Sequence, residues 1–124
     1  MLKSMLIPAM TLAALAGCAA LPEEQGTMVR LHNSSAYRLE NVRVNFSNGP
    51  IAYGSLAPGA RTVYREAGTA YRYAYIEAEL NGQRVVLQPI DYVGETPLGP
   101  GSYTYRLTVN PAENKLTVTT STDP

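Results

Sequence analysis

The chain is predicted to fold as an all-β domain, an antiparallel β-sandwich of seven or eight short strands. Three observations lead there. From Met28 onward, apolar and polar residues alternate with a period of two, the pattern of half-buried strands. Turn-forming residues interrupt that pattern at short intervals. No segment beyond Gly26 shows a helical period. Alternation of apolar-in and polar-out residues on antiparallel strands suits two packed sheets. A small β-barrel is the alternative.

The elements follow in order. Val29 and Leu31 alternate with Arg30 and His32 until Asn33-Ser34-Ser35 breaks the run. Val42, Val44 and Phe46 alternate with Asn41, Arg43 and Asn45, and Ser47-Asn48-Gly49-Pro50 forms a turn. A short strand is expected around Ile51–Tyr53, a turn at Ala57-Pro58-Gly59, and another strand over Thr62–Glu66. Asn81-Gly82 marks a two-residue hairpin whose central residues both take positive φ. That turn sets Leu80 against Gln83, Glu79 against Arg84, Ala78 against Val85 and Ile76 against Leu87. Ile76, Ala78, Leu80, Val85 and Leu87 then share the buried face, and Glu79 faces Arg84 as a cross-strand ion pair. Tyr105, Leu107 and Val109 mark a late strand, Asn110–Asn114 a turn, and Leu116 and Val118 the last strand.

The segment Pro100-Gly101-Ser102-Tyr103-Thr104-Tyr105 resembles the start of a late strand in immunoglobulin-like and transthyretin-like sandwiches. The resemblance assigns Tyr103 the tyrosine-corner role, in which its hydroxyl ties the preceding loop to the backbone. It covers only these few residues. The Cys…Trp…Cys pattern of antibody domains is missing, since the chain has one Cys and no Trp.

The N-terminus has the layout of a secretory signal. Lys3 supplies the positive charge and Met5–Ala16 the apolar middle. That run is too short for a helix spanning a bilayer, which takes about 20 residues. It closes on Leu15-Ala16-Gly17-Cys18, which resembles the lipobox of bacterial lipoproteins. The resemblance implies cleavage before Cys18 and acylation of its thiol by chains such as palmitate. Two or more chains anchor stably where one does not. The alternative is an ordinary signal peptide cut at Cys18-Ala19-Ala20. By the same resemblance, Ala19, where an Asp favours inner-membrane retention in enteric-type bacteria, implies the cell outer membrane with the domain facing the periplasm, or the outer face of the plasma membrane in a single-membrane bacterium. Residues 1–17 are thus read as a cleaved signal, 18–26 as a lipidated tether and 27–124 as the β domain. Stretched out, Ala19–Gly26 reaches at most about 29 Å.

Composition narrows the function. The chain has ten basic and ten acidic residues, with no clustered basic excess in sequence, so no nucleic-acid partner is expected. With Cys18 acylated, no thiol is left for a disulfide. No spacing of His, Cys and carboxylates suits zinc, no Gly-rich loop opens a helix, and no Gly-x-Ser-x-Gly elbow holds a nucleophile. His32 is the only histidine and falls at an outward position. No catalytic residue, metal or cofactor beyond the covalent lipid is expected, and the protein is read as a non-enzyme. Asn33-Ser34-Ser35 matches a glycosylation sequon but reads as a turn.

Two features stand out as binding candidates. Nine tyrosines against one Phe and no Trp is a skewed aromatic set. Tyr71, Tyr73 and Tyr75 fall at period two, opposite the Ile76-Ala78-Leu80 face if the strand runs without a bulge. Such a ladder suits recognition, or packs beneath a loop. The segment Pro89–Ser102 is long for a sandwich connection and holds Asp91, Tyr92 and Glu95. Asp91 and Glu95 could bind calcium with backbone carbonyls, but the residue types favour Asp91 bonding to loop amides and Glu95 solvated or paired with an arginine. The resulting expectation is a lipid-anchored envelope accessory, structural or binding, whose partner is an envelope protein or a glycan. Two rivals remain: an envelope hydrolase using Asp91 and Glu95, and a carrier with a ligand cavity between its sheets.

Overall fold

The structure is a computed structural model that describes residues 26–89 and 95–124. Eight strands run through it: β1 Thr27–Asn33, β2 Leu39–Phe46, β3 Gly49–Leu56, β4 Arg65–Glu66, β5 Tyr75–Leu80, β6 Gln83–Leu87, β7 Gly101–Asn110 and β8 Lys115–Asp123. Among the described residues the one helical element is a 3₁₀ turn at Pro111–Glu113, capped by the Asn110 side chain.

The strands form one hydrogen-bonded ribbon in the order β3-β2-β5-β6-β8-β7-β1-β4. It is mixed, so the fully antiparallel arrangement expected from the sequence needs correction. β1 and β7 pair in parallel over seven rungs, from Thr27↔Gly101 to Asn33↔Leu107. β6 and β8 meet at a single parallel pair, Val86↔Lys115. Alternation of side chains is the same in both kinds of ladder, which is why direction escaped the sequence.

The ribbon curls strongly, and its two ends meet. The Tyr53 hydroxyl on β3 donates to the Val29 carbonyl on β1, 2.9 Å away. Arg65 of β4, at one end of the order, donates to the Ala52 carbonyl of β3 at the other, at 3.2 Å. Inside the curl lies one core that includes Val29, Leu31, Leu39, Val42, Val44, Ile76, Val85, Tyr105, Leu107 and Leu116. Phe46 of β2 and Tyr105 of β7 touch across it, ring centres 5.9 Å apart.

The Asn81-Gly82 hairpin has the expected register at all four predicted pairs, with φ of 52° and 80° at its tip. The other elements differ at their ends. β2 and β3 are joined through Ser47-Asn48 alone, and Gly49 and Pro50 already belong to β3. Pro50 is tolerated because β3 is an edge strand. A bulge at Asn41, which takes φ 49°, lets Leu39 and Val42 both point inward three residues apart. The Thr62–Glu66 strand shrinks to Arg65–Glu66. β8 runs on to Asp123, a stretch of Thr and Ser without apolar rungs, because β7 pairs with it along its whole length.

Asn33 is fully buried at the end of β1. Its amide donates to the carbonyls of Tyr37, Leu56 and Ala57 at 2.7, 3.0 and 3.2 Å. Its Oδ1 accepts from the Ser35 amide and hydroxyl. The turn is therefore built on this side chain. Tyr103 donates its hydroxyl to the Leu98 carbonyl at 2.6 Å, the tie that the tyrosine-corner resemblance assigned to it.

Candidate functional site

Tyr71, Tyr73 and Tyr75 are all half-buried, and all three line one cleft of about 290 Å³. Phe46, Ala70 and Ala74 form its apolar floor, and Asn45, Ser47 and Thr69 stand at its rim. The tyrosines were expected on a single strand. Only Tyr75 is on β5, and Tyr71 and Tyr73 lie in the segment leading into it. The alternation survives outside the ladder because that segment is pinned from three directions. The Ala70 carbonyl accepts from the Leu98 amide at 2.8 Å. The Tyr71 carbonyl accepts from the Tyr105 hydroxyl, and the Arg72 carbonyl from the Thr120 hydroxyl, both at 2.5 Å. Three consecutive carbonyls are thus held by the loop after β6, by β7 and by β8. The rim is fixed too, since Ser47 Oγ accepts from the Thr69 amide at 2.8 Å.

Tyr75 also belongs to a polar network on the outer face of β2, β5 and β6. Its hydroxyl donates to Glu77 Oε1 at 3.0 Å and accepts from Arg84 at 2.9 Å. Arg84 reaches Glu77 at 3.0 Å, and Arg43 reaches it at 3.4 Å. Glu79 faces Arg84 in the register, as expected. The ion pair nonetheless goes diagonally to Glu77, and Glu79 accepts from Asn41 instead. Strand twist brings the diagonal neighbour within reach of a long side chain. Hydrogen bonds from Tyr75 and Arg84 hold the Glu77 carboxyl below the usual carboxylate range.

The loop candidates fall differently. Asp91 and Tyr92 lie outside the described residues, as does Cys18. Glu95 is half-buried, and its Oε1 is enclosed without a hydrogen-bond partner among the described residues. It stands near Tyr105, whose hydroxyl is pushed up chiefly by burial, with Tyr53 and Glu95 adding to the effect. The loop ends at Pro100, two residues earlier than expected, because β7 begins at Gly101. A second groove, about 450 Å³, opens where β6 and β8 part, lined by Val86, Leu87 and Leu116 among others. Among the described residues, no group of three or more His, Cys, Asp or Glu is placed to hold a metal ion. No helix among them is long and apolar enough to cross a membrane.

Sequence reasoning missed the grouping around His32. Arg30 and His32 point outward from β1 and Arg106 from β7. Arg61 joins them through an antiparallel bridge to His32. Nothing in the linear order of these residues signals that they meet.

No protein family and no curated protein sequence matches the chain. A protein from Eubacterium rectale, solved by NMR, is similar in structure, with a TM-score of 0.54 and 14% sequence identity. The match covers 80% of this chain and 93% of that one. At that identity the likeness speaks to the fold alone.

Proposed function

We propose that the protein is a lipid-anchored accessory of the cell envelope that binds a glycan in the tyrosine cleft. The single observation that supports the cleft as a site is its construction. Three half-buried tyrosines are exposed along one side, and the segment leading into β5 is clamped at the carbonyls of Ala70, Tyr71 and Arg72 by Leu98, Tyr105 and Thr120. A tyrosine ring offers apolar area with a polar tip, and the rim adds an amide and two hydroxyls at Asn45, Ser47 and Thr69. A cleft of this size admits one sugar ring and is small for a larger ligand. The address is inferred from the lipobox resemblance at Leu15–Cys18, which gives the outer membrane and a periplasm-facing domain.

The finer fold reading is a sandwich. The ribbon thins to one pair between β6 and β8 and so divides into two four-stranded halves, β3-β2-β5-β6 and β8-β7-β1-β4. This order, with a parallel pair inside one half, favours the transthyretin-like form over the antibody-like form.

The tests separate address from binding. Cys18→Ser should abolish labelling of the protein by radioactive palmitate in cells; equal labelling of both versions rules out the anchor. For binding, the mature chain carrying Cys18→Ser is pelleted with purified insoluble cell-wall glycan. Tyr71→Ala with Tyr73→Ala should remove it from the pellet and leave the melting temperature nearly unchanged. A large loss of stability would show that these rings serve the core. Failure of the unsubstituted domain to pellet, with crosslinking to a single envelope protein through Tyr71, would make the partner a protein.

A further inference from the structure

On the β1–β7 face, His32 lies between two arginines in a row that crosses the strands. His32 pairs with Arg106 in the parallel ladder and bridges Arg61 on its other side. The flanking hydrogen bonds, Asn33 N–H to Ala60 O and Thr62 N–H to Leu31 O, both 2.9 Å, make His32 and Arg61 a non-hydrogen-bonded pair. That is the closest approach antiparallel strands allow, about 4.5 Å between Cα atoms. Arg106 stands one strand spacing away on the other side, about 4.8 Å. Arg30 occupies the same face two residues along β1.

Arg61 and Arg106 flank His32 across the strands, so charge of one sign collects at the ends of the row with a histidine between them. One carboxylate, Asp123, lies by the row and interacts with Arg30 and Arg61, but its oxygen is already engaged by two hydroxyls. It accepts from Tyr64 at 2.7 Å and Thr104 at 2.6 Å and lies 3.7 Å from Arg30. Glu66 pairs with Met28, two rungs beyond Arg30. No ion pair among the described residues includes Arg61 or Arg106, and both are exposed. The face therefore has an excess of positive charge in a chain whose formal net charge is zero. Its surroundings are hydroxyls: Arg106 pairs with Thr119 and Thr104 with Ser121.

We propose that this face docks on the phosphate groups of an anionic bilayer surface. Charge complementarity selects an anion. The tether selects the bilayer, because it enters at β1 and, reaching at most about 29 Å, keeps this face near the headgroups. This second argument rests on the anchor proposed above. Juxtamembrane arginines each contribute to attraction toward anionic headgroups within a Debye length. Burial, and after it Arg61, Arg106 and Arg30, keeps His32 less basic than usual. Phosphates over the row would reverse that effect, so the only histidine reports occupancy.

The experiment uses the mature chain with Cys18→Ser, so that no acyl chain brings it to the vesicle and its outcome is independent of lipidation. The chain should sediment with vesicles of phosphatidylglycerol and phosphatidylcholine, not with phosphatidylcholine alone, and added salt should release it. Arg61→Ser with Arg106→Ser should weaken binding roughly thirtyfold, while Arg38→Ser, whose side chain pairs with Glu40, changes nothing. The melting temperature of the double variant should hold or rise, since repulsion is removed. The His32 ring resonance should titrate at higher pH when the anionic vesicles are present. Equal binding to both vesicle types, no binding to either, or full binding by the double variant overturns the proposal. A His32 shift with millimolar inorganic phosphate and none with vesicles overturns it as well, in favour of a soluble anion.

Discussion

On the β2–β5–β6 face, Glu77 takes hydrogen bonds from Tyr75 and Arg84 and an ion pair from Arg43. On the β1–β7 face, Arg61, His32 and Arg106 stand side by side with no carboxylate in the row. Both faces are built on the same pleated geometry, and both place long polar side chains within reach of their cross-strand neighbours. The first uses that proximity to satisfy its charges. The second groups three arginines around His32, with Asp123 beside Arg30 at its edge. The first arrangement stabilises the sheet on its own, while the second leaves Arg61 and Arg106 without an ion pair among the described residues. That contrast separates a face that serves the fold from a face available to a partner.

The largest expected effect tests what the two halves share. Tyr105→Ala should cost about 3–5 kcal/mol in denaturant unfolding, because its ring meets Phe46 in the core and its hydroxyl holds the Tyr71 carbonyl. Tyr105→Phe should cost about 1 kcal/mol and weaken glycan retention through the released Tyr71 segment. Retention unchanged in Tyr105→Phe would show that the clamp does not position the cleft. Asn33→Ala comes next, at about 2–3 kcal/mol, since three carbonyls lose their donor in a buried turn.

The contrast between faces is tested by sign. Glu77→Ala should destabilise by up to about 1 kcal/mol. Arg106→Ser should stabilise by a few tenths. Destabilisation by both, measured in the same unfolding series, would mean that Arg106 has a structural partner and that the row is not repulsive.

Acid separates the faces further. The folded pKa of His32 lies below its usual 6.5, so the folded protein takes up its proton less readily than the unfolded chain. Stability contributed by neutral His32 is present above pH 6.5 and declines as pH falls from there through the folded value. His32→Asn should flatten that part of the curve. At lower pH, Glu77 and Asp123 matter instead. Burial pushes Asp123 upward, but Thr104, Tyr64, Arg30 and Arg61 more than offset it, and its pKa ends below the ordinary one. Both carboxylates stabilise above the usual carboxylate range and lose that contribution as pH falls through their depressed values. Glu77→Gln should shift this lower limb and leave the His32 limb in place.

How far the sequence could be read depended on how local the controlling physics was. The Asn81-Gly82 register was legible because two residues with positive φ determine the pairing on either side of them. The Tyr103 tie was legible through the resemblance carried by Pro100–Tyr105, since the tie spans five residues or fewer. The three tyrosines were legible as one group because alternation continued through residues 70–76, although the clamp replacing the ladder was not. Strand direction was hidden, since parallel and antiparallel rungs alternate alike. The outer half of β8 was hidden because its rungs are Thr and Ser.

The amino-acid order by itself determined an all-β domain, its best hairpin, its core faces and the aromatic character of one cleft. Period-two burial and turn chemistry act over a few residues and leave a mark in the chain. Only the tertiary structure decided that β1 lies parallel to β7 and that Arg61 closes on His32. Those neighbours are separated by tens of residues, and the curl of the whole ribbon, not any local preference, brings their charges together.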